Sequence, residues 1–191
     1  MAYRRYQSRY VNAVLLLIGI NLLLFIATMI HNDLIFLLGL YPAGLIERPW
    51  TMVTNLFIHG GIGHIIANML TLYFFGTYLA RLIGEKKFLI IYFLGGILGN
   101  IFYIFLSSPF TIAIGASGAV FALGGVLTAM TPKLRVFVFP IPVPLPLWTA
   151  VIGGFVIISL FPHVAWQAHL GGLVTGLIAG LILRKRRRPI F

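Results

Sequence analysis

From Val11 to Ile30 the chain carries no charged residue, and a run of about 20 apolar residues is what crossing the hydrocarbon core of a bilayer requires. Five further apolar segments follow, at 64–80, 88–106, 114–130, 147–160 and 167–183. In lipid a segment must satisfy its own backbone hydrogen bonds, which for isolated spans means helix. The sequence therefore predicts an all-α fold, a polytopic six-helix membrane bundle forming one domain over residues 1–191. The fifth segment is the shortest, bounded by Pro146 and Pro162. Composition agrees: 60% of residues are hydrophobic and 9% charged, where a soluble domain has roughly a quarter charged, and the mean hydropathy is +1.04. The first run is not followed by a small-residue cleavage pattern, so a retained span is expected in place of a removable signal peptide.

Charge sets the expected orientation. Arg4, Arg5, Arg9, Arg81, Lys86, Lys87, Lys133, Arg135 and the run Arg184 to Arg188 fall on one side of the bundle, and Arg48 alone on the other. By the positive-inside rule both termini are cytoplasmic, and a plasma-membrane location is expected. In a soluble protein the net charge of +11 would suggest nucleic acid. Here the basic residues flank apolar segments, so membrane lipid is the expected partner and nucleic acid is not. The connection 31–63 reads as a folded loop in the interface, and the proline-rich connection 131–146 as one skimming the opposite surface. Cysteine is absent, which excludes disulfides, iron–sulfur clusters and thiol catalysis.

With this orientation the second, fourth and sixth spans all begin at the outer surface. His64 opens the second, Ser117 lies near the start of the fourth, and His169 near the start of the sixth. At about 1.5 Å per residue the three side chains share a depth within one or two turns. Asn68 joins His64 on one helical face. Unpartnered polar groups in lipid are costly, so these should meet one another or water. A serine within reach of a histidine is the nucleophile and base of acyl transfer. The chain's acids, Asp33, Glu47 and Glu85, all lie outside the spans, which points to a Ser117–His169 dyad in place of a triad. The Ser117 amide at a helix start, with His64 and Asn68, forms a candidate oxyanion hole. Gly115 and Gly118 allow close helix approach around the serine, and Gly172, Gly176 and Gly180 make a ridge that would hold His169 against the fourth span.

Each of these residues has a plainer reading. A lone serine caps a helix or bonds its neighbour, a lone histidine packs, and His64 with Asn68 can staple helices together. Convergence at one depth argues against treating them separately. A metal site would need a carboxylate, a cysteine or an HExxH pair near the histidines, and the sequence has none there, so neither metal nor cofactor is expected. A transporter or channel lined by His64, Ser117 and His169 is the rival from another class, disfavoured by the lack of intramembrane acids.

The residues Trp50 ahead of TNLFIHGGIGHIIANM, the HxxxN spacing of His64 and Asn68, GASG around Ser117 and AHLGGLVTG around His169 resemble the rhomboid intramembrane serine proteases. The resemblance runs from the first span to the sixth. It implies that Ser117 attacks the scissile carbonyl, that His169 takes its proton, that His64 and Asn68 stabilise the oxyanion, and that His59 belongs to a structured first loop. It also implies transmembrane substrates entering sideways, a water-filled cavity open to the outside, and the short fifth span as gate. Two positions depart from the family pattern: Thr51 stands where many members have Arg, and Phe121, which can stack beneath His169, stands where Tyr is common. A non-catalytic membrane chaperone of rhomboid shape is the remaining alternative.

Overall fold

A computed structural model describes residues 12–138 and 141–186. Helix α1 (Asn12–Ile30) leads into a structured loop containing α2 (Asp33–Leu38) and α3 (Thr51–Thr54). Helix α4 (Ile62–Thr71) passes through one π-helical turn, Leu72–Gly76, into α5 (Thr77–Ile83). Then come α6 (Glu85–Leu106), α7 (Ser117–Met130), a short hairpin of β1 (Arg135–Val136) and β2 (Leu145–Pro146), α8 (Leu147–Ser159) and α9 (Trp166–Arg186). The polytopic helical membrane fold expected from the sequence is present, with α7 at its centre: from Gly118 to Ala129 every residue of α7 except Phe121 is buried.

Four helical stretches are long and apolar enough to cross a bilayer: 13–30, 62–83, 85–106 and 166–185. The fourth and fifth expected spans are shorter, α7 with 14 residues and α8 with 13. At 1.5 Å per residue α7 is about 21 Å long, some 9 Å less than a hydrocarbon core. Its start moves from the expected 114 to Ser117 because Gly115 takes φ +122, outside any right-handed helix. The preceding segment is used elsewhere, Leu40 and Ala113 exchanging both backbone bonds at 2.9 Å. Non-helical backbone at this depth is tolerable because the first loop covers it.

The proline-rich connection adds a piece of sheet that periodicity had not suggested. Arg135 pairs with Pro146 and Val136 with Leu145, while Lys133, Arg135 and Phe137 face outward between inward Leu134, Val136 and Val138. Of the basic residues behind the orientation argument, Arg4, Arg5, Arg9, Arg187 and Arg188 lie outside the described residues.

The glycine ridge on α9 sets how closely it meets α7. A methyl group on Gly172 would collide with the Gly118 carbonyl, one on Gly176 with the Ala122 carbonyl, and one on Gly180 would lie 2.7 Å from the Val126 carbonyl. Helix α6 docks in the same way: Gly95 abuts Ala122 of α7, Gly96 abuts Leu56 of the first loop, and a methyl on Gly99 would sit 2.6 Å from the Ala168 carbonyl of α9. Backbones in such contact gain dispersion energy that lipid cannot supply.

Candidate active site

Ser117 is the first residue of α7 and His169 stands one turn into α9. The ridge contact at Gly118 and Gly172 brings the two helices so close that Ser117 Oγ lies 2.7 Å from His169 Nε2. This is a short hydrogen bond by the standards of a neutral hydroxyl and imidazole. His169 is 5% exposed, whereas Ser117 is only half-buried. Phe121, one turn after Ser117, lies under the imidazole at 4.8 Å between ring centroids and 32° between planes. Phe155 of α8 meets the Phe121 ring edge-on at 5.9 Å. The imidazole is thus held by stacking, and its Nδ1 is buried without a hydrogen-bond partner among the described residues.

The turn before Ser117 is fixed from the first loop. The Gly115 N–H donates to the Asn55 carbonyl at 2.9 Å, and the Ala116 N–H makes a long contact of 3.5 Å with His59 Nε2. Both N–H groups ahead of the serine are committed, so the free backbone donors are those of the first helical turn, beginning with Ser117. His64 comes from α4 to the same spot: a methyl on Gly115 would lie 2.6 Å from His64 Nε2 and 3.6 Å from Ser117 Oγ. Gly115 therefore serves twice, by its left-handed φ and by leaving room for the His64 ring. Gly115→Ala is expected to lower the rate of Ser117 acylation on the order of a hundredfold while the protein remains extractable and folded. Labelling kinetics with a serine-directed phosphonate would read this, and a wild-type rate would refute it.

His59 packs edge-on against His64, with 4.9 Å between centroids and 64° between planes. Burial in the first loop, reinforced by repulsion from His64, pushes the His59 pKa down from 6.5 to about 3. The neutral ring can then accept from Ala116. The unfolded chain takes up this proton near pH 6.5 and the folded one does not, so the stabilisation is complete above that pH and is lost as pH falls toward about 3. Thermal unfolding between pH 7.5 and 5 should show the loss, and His59→Gln, which keeps an acceptor, should flatten the slope. An unchanged slope would contradict the assignment.

Thr51, the first departure from the family pattern, is accommodated. It is buried and donates to the Arg48 carbonyl at 2.7 Å. Arg48 Nη1, Trp50 Nε1 and Thr54 Oγ1 donate in turn to the carbonyls of Phe36, Leu37 and Leu38, at 2.6, 3.0 and 2.7 Å. Three successive orphan carbonyls at the end of α2 are thus capped by side chains from one short segment.

Of the predicted site residues, Ser117, His169, Phe121, Gly115, Gly118 and His64 come together. Asn68 is buried on the same helix as His64, and one N–H of its Nδ2 donates to the His64 carbonyl at 2.9 Å, within α4. The sequence reading passed over Asn55 and Asn100. The signal was available, since an amide in the middle of GGILGNIFYIF is costly in lipid unless partnered. Among the described residues no group of three His, Cys, Asp or Glu side chains is arranged to hold a metal.

Comparison with known proteins shows the family of the chain. The Rhomboid domain family matches residues 47–186. RHOMBOID-like protein 1 of Arabidopsis thaliana is 32% identical over 140 residues, covering 71% of this chain and 35% of the relative. Rhomboid protease GluP of Bacillus subtilis is 31% identical over 144 residues, covering 70% and 26%. The mitochondrial Rhomboid protein 1 of Saccharomyces cerevisiae is 28% identical over 186 residues, covering 91% and 54%. The chain spans about a quarter to a half of the length of these relatives. With most of its residues matched by the family's domain, this multi-pass membrane protein belongs to the rhomboid family.

Proposed function

We propose that the chain is an intramembrane serine endopeptidase working through a Ser117–His169 dyad within a single membrane domain. The observation that carries the reading is the 2.7 Å approach of Ser117 Oγ to His169 Nε2 between two helices locked by glycine contacts. The neutral imidazole accepts the hydroxyl proton at Nε2 as Oγ attacks a peptide carbonyl. The tetrahedral oxyanion faces the Ser117 N–H at the positive end of α7, with His64 Nε2 as a side-chain donor and the second Asn68 N–H as a further one. His169 returns the proton to the leaving amine, and a water deprotonated by the same nitrogen hydrolyses the acyl ester. No carboxylate orients His169 in this scheme; the Phe121 ring beneath it does so by packing.

Substrates are membrane-spanning helices cut in or near their outer ends. A helix must unwind locally before its carbonyls can reach a nucleophile, so small and helix-breaking residues favour cleavage. The orientation, with both termini cytoplasmic and the chain in the plasma membrane, rests on charge. Arg81, Lys86, Lys87, Lys133, Arg135 and Arg184 gather at the end of the bundle away from the start of α7, where Arg184 Nη1 meets the Ala129 carbonyl at 3.4 Å. The test is fluorophosphonate labelling of the detergent-solubilised protein. Labelling is expected in the unaltered chain and lost in Ser117→Ala and His169→Ala; a Ser117→Ala variant that still labels removes the nucleophile.

A further inference from the structure

Asn55 and Asn100 form a closed pair of amides. Asn55 Nδ2 donates to Asn100 Oδ1 at 3.0 Å and Asn100 Nδ2 donates to Asn55 Oδ1 at 2.8 Å. The second N–H of Asn100 reaches the Met52 carbonyl at 2.9 Å. Both side chains are 2% exposed. One partner belongs to the first loop and the other to α6, so the pair joins segments 45 residues apart. The Asn55 main-chain carbonyl is also the acceptor for the Gly115 N–H, two residues before Ser117.

The neighbouring positions of α6 explain why a link at this point matters. Within six residues α6 presents Gly95 to α7, Gly96 to Leu56 beside Asn55, Gly99 to the Ala168 carbonyl beside His169, and Asn100 to Asn55. One helix face thus fixes the nucleophile helix, the base helix and the loop that holds the oxyanion turn. The glycine contacts set how closely the elements approach but contain no matched donor and acceptor, so by themselves they can be met at a shifted register. The amide pair cannot, because its reciprocal donors and acceptors match at a single register.

We propose that Asn55 and Asn100 are positioning residues of the site, the amide pair setting the depth of the Gly115–Ala116 turn relative to Ser117 and His169. The inference rests on the serine–histidine reading above. If the pair serves only stability, replacing both amides by leucine should leave a folded protein of ordinary reactivity, since exchanging both partners of a buried bond for apolar groups of similar shape is close to neutral and only the Met52 carbonyl loses its donor. If it sets register, that same folded variant should react slowly.

The experiment compares the unaltered chain with Asn55→Leu/Asn100→Leu, using the second-order rate of fluorophosphonate labelling and the kcat and KM for a single-span model substrate in one detergent. The expected result is a fall in labelling rate and kcat on the order of tenfold to a hundredfold, with KM little changed and the thermal midpoint lowered only by the loss of the Met52 contact. Asn55→Asp supplies a second measurement, which decides alone if the leucine pair does not fold. A protonated carboxyl donates to Asn100 Oδ1 and accepts from Asn100 Nδ2 in the same ring, and a carboxylate cannot. The ratio of its rate to that of the unaltered chain should rise as pH falls, whereas a flat ratio overturns the proposal. A labelled protein whose rates are within twofold after the double leucine change also overturns it and leaves the dyad standing. Absence of labelling in the unaltered chain removes the dyad reading and this inference with it.

Discussion

Ser117→Ala and His169→Ala are each expected to reduce cleavage of a reconstituted single-span substrate on the order of 10⁴-fold or more, and the double variant to be no worse than either. The reason is geometric. In the proposed dyad the 2.7 Å bond makes hydroxyl and imidazole one functional unit, so removing either removes the proton transfer that makes the other useful. Ser117→Ala should fold normally, losing one half-exposed hydrogen bond worth about 1 kcal/mol. Initial rates in proteoliposomes, paired with thermal midpoints, measure both quantities. Losses that multiply in the double variant would mean that the two groups act independently, which is incompatible with a dyad.

Gly176→Val is expected to have the largest effect on stability of any single change on α9. A side chain there must occupy space taken by the Ala122 carbonyl, and at Gly172 the obstacle is the Gly118 carbonyl. Neither is the end of a flexible side chain that could swing aside. Overpacking of this kind costs on the order of 3 kcal/mol, a large share of a typical total stability of about 5–15 kcal/mol. Loss of the folded fraction on heating in detergent should shift accordingly. Gly153→Ala is the control, because a methyl at Gly153 meets nothing within 4 Å. Gly172→Ala adds a second readout: by prising α9 from α7 beside the dyad, it should slow labelling of Ser117 even where protein survives. Normal stability in Gly176→Val would mean that the α7–α9 contact is not the tight backbone packing described.

Much of this site was legible because the membrane makes polar residues conspicuous. His64, Ser117 and His169 stood out against apolar spans, and counting helical rise placed them at one depth. The ridge of Gly172, Gly176 and Gly180 was readable from its spacing of four, which is one helical face. Asn68 shows the limit of such counting. Its position on the face of His64 was foreseeable, but the observed bond to the His64 carbonyl is a local choice that a buried amide makes within its own helix. The late start of α7 was equally hidden, because Gly115 reads as a packing glycine until its backbone angle is known.

By itself the sequence determined the class of solvent, the helical character of the spans and the side chains able to do chemistry, because lipid penalises every unpaired polar group and those penalties depend on residue type alone. Only the tertiary structure decided that Ser117 and His169 touch, that Asn55 meets Asn100, and that the end of α2 is capped by Arg48, Trp50 and Thr54. Such pairings join segments distant along the chain. Their partners are selected by which backbones can approach closely enough, a property of the packed bundle that no stretch of residues carries alone.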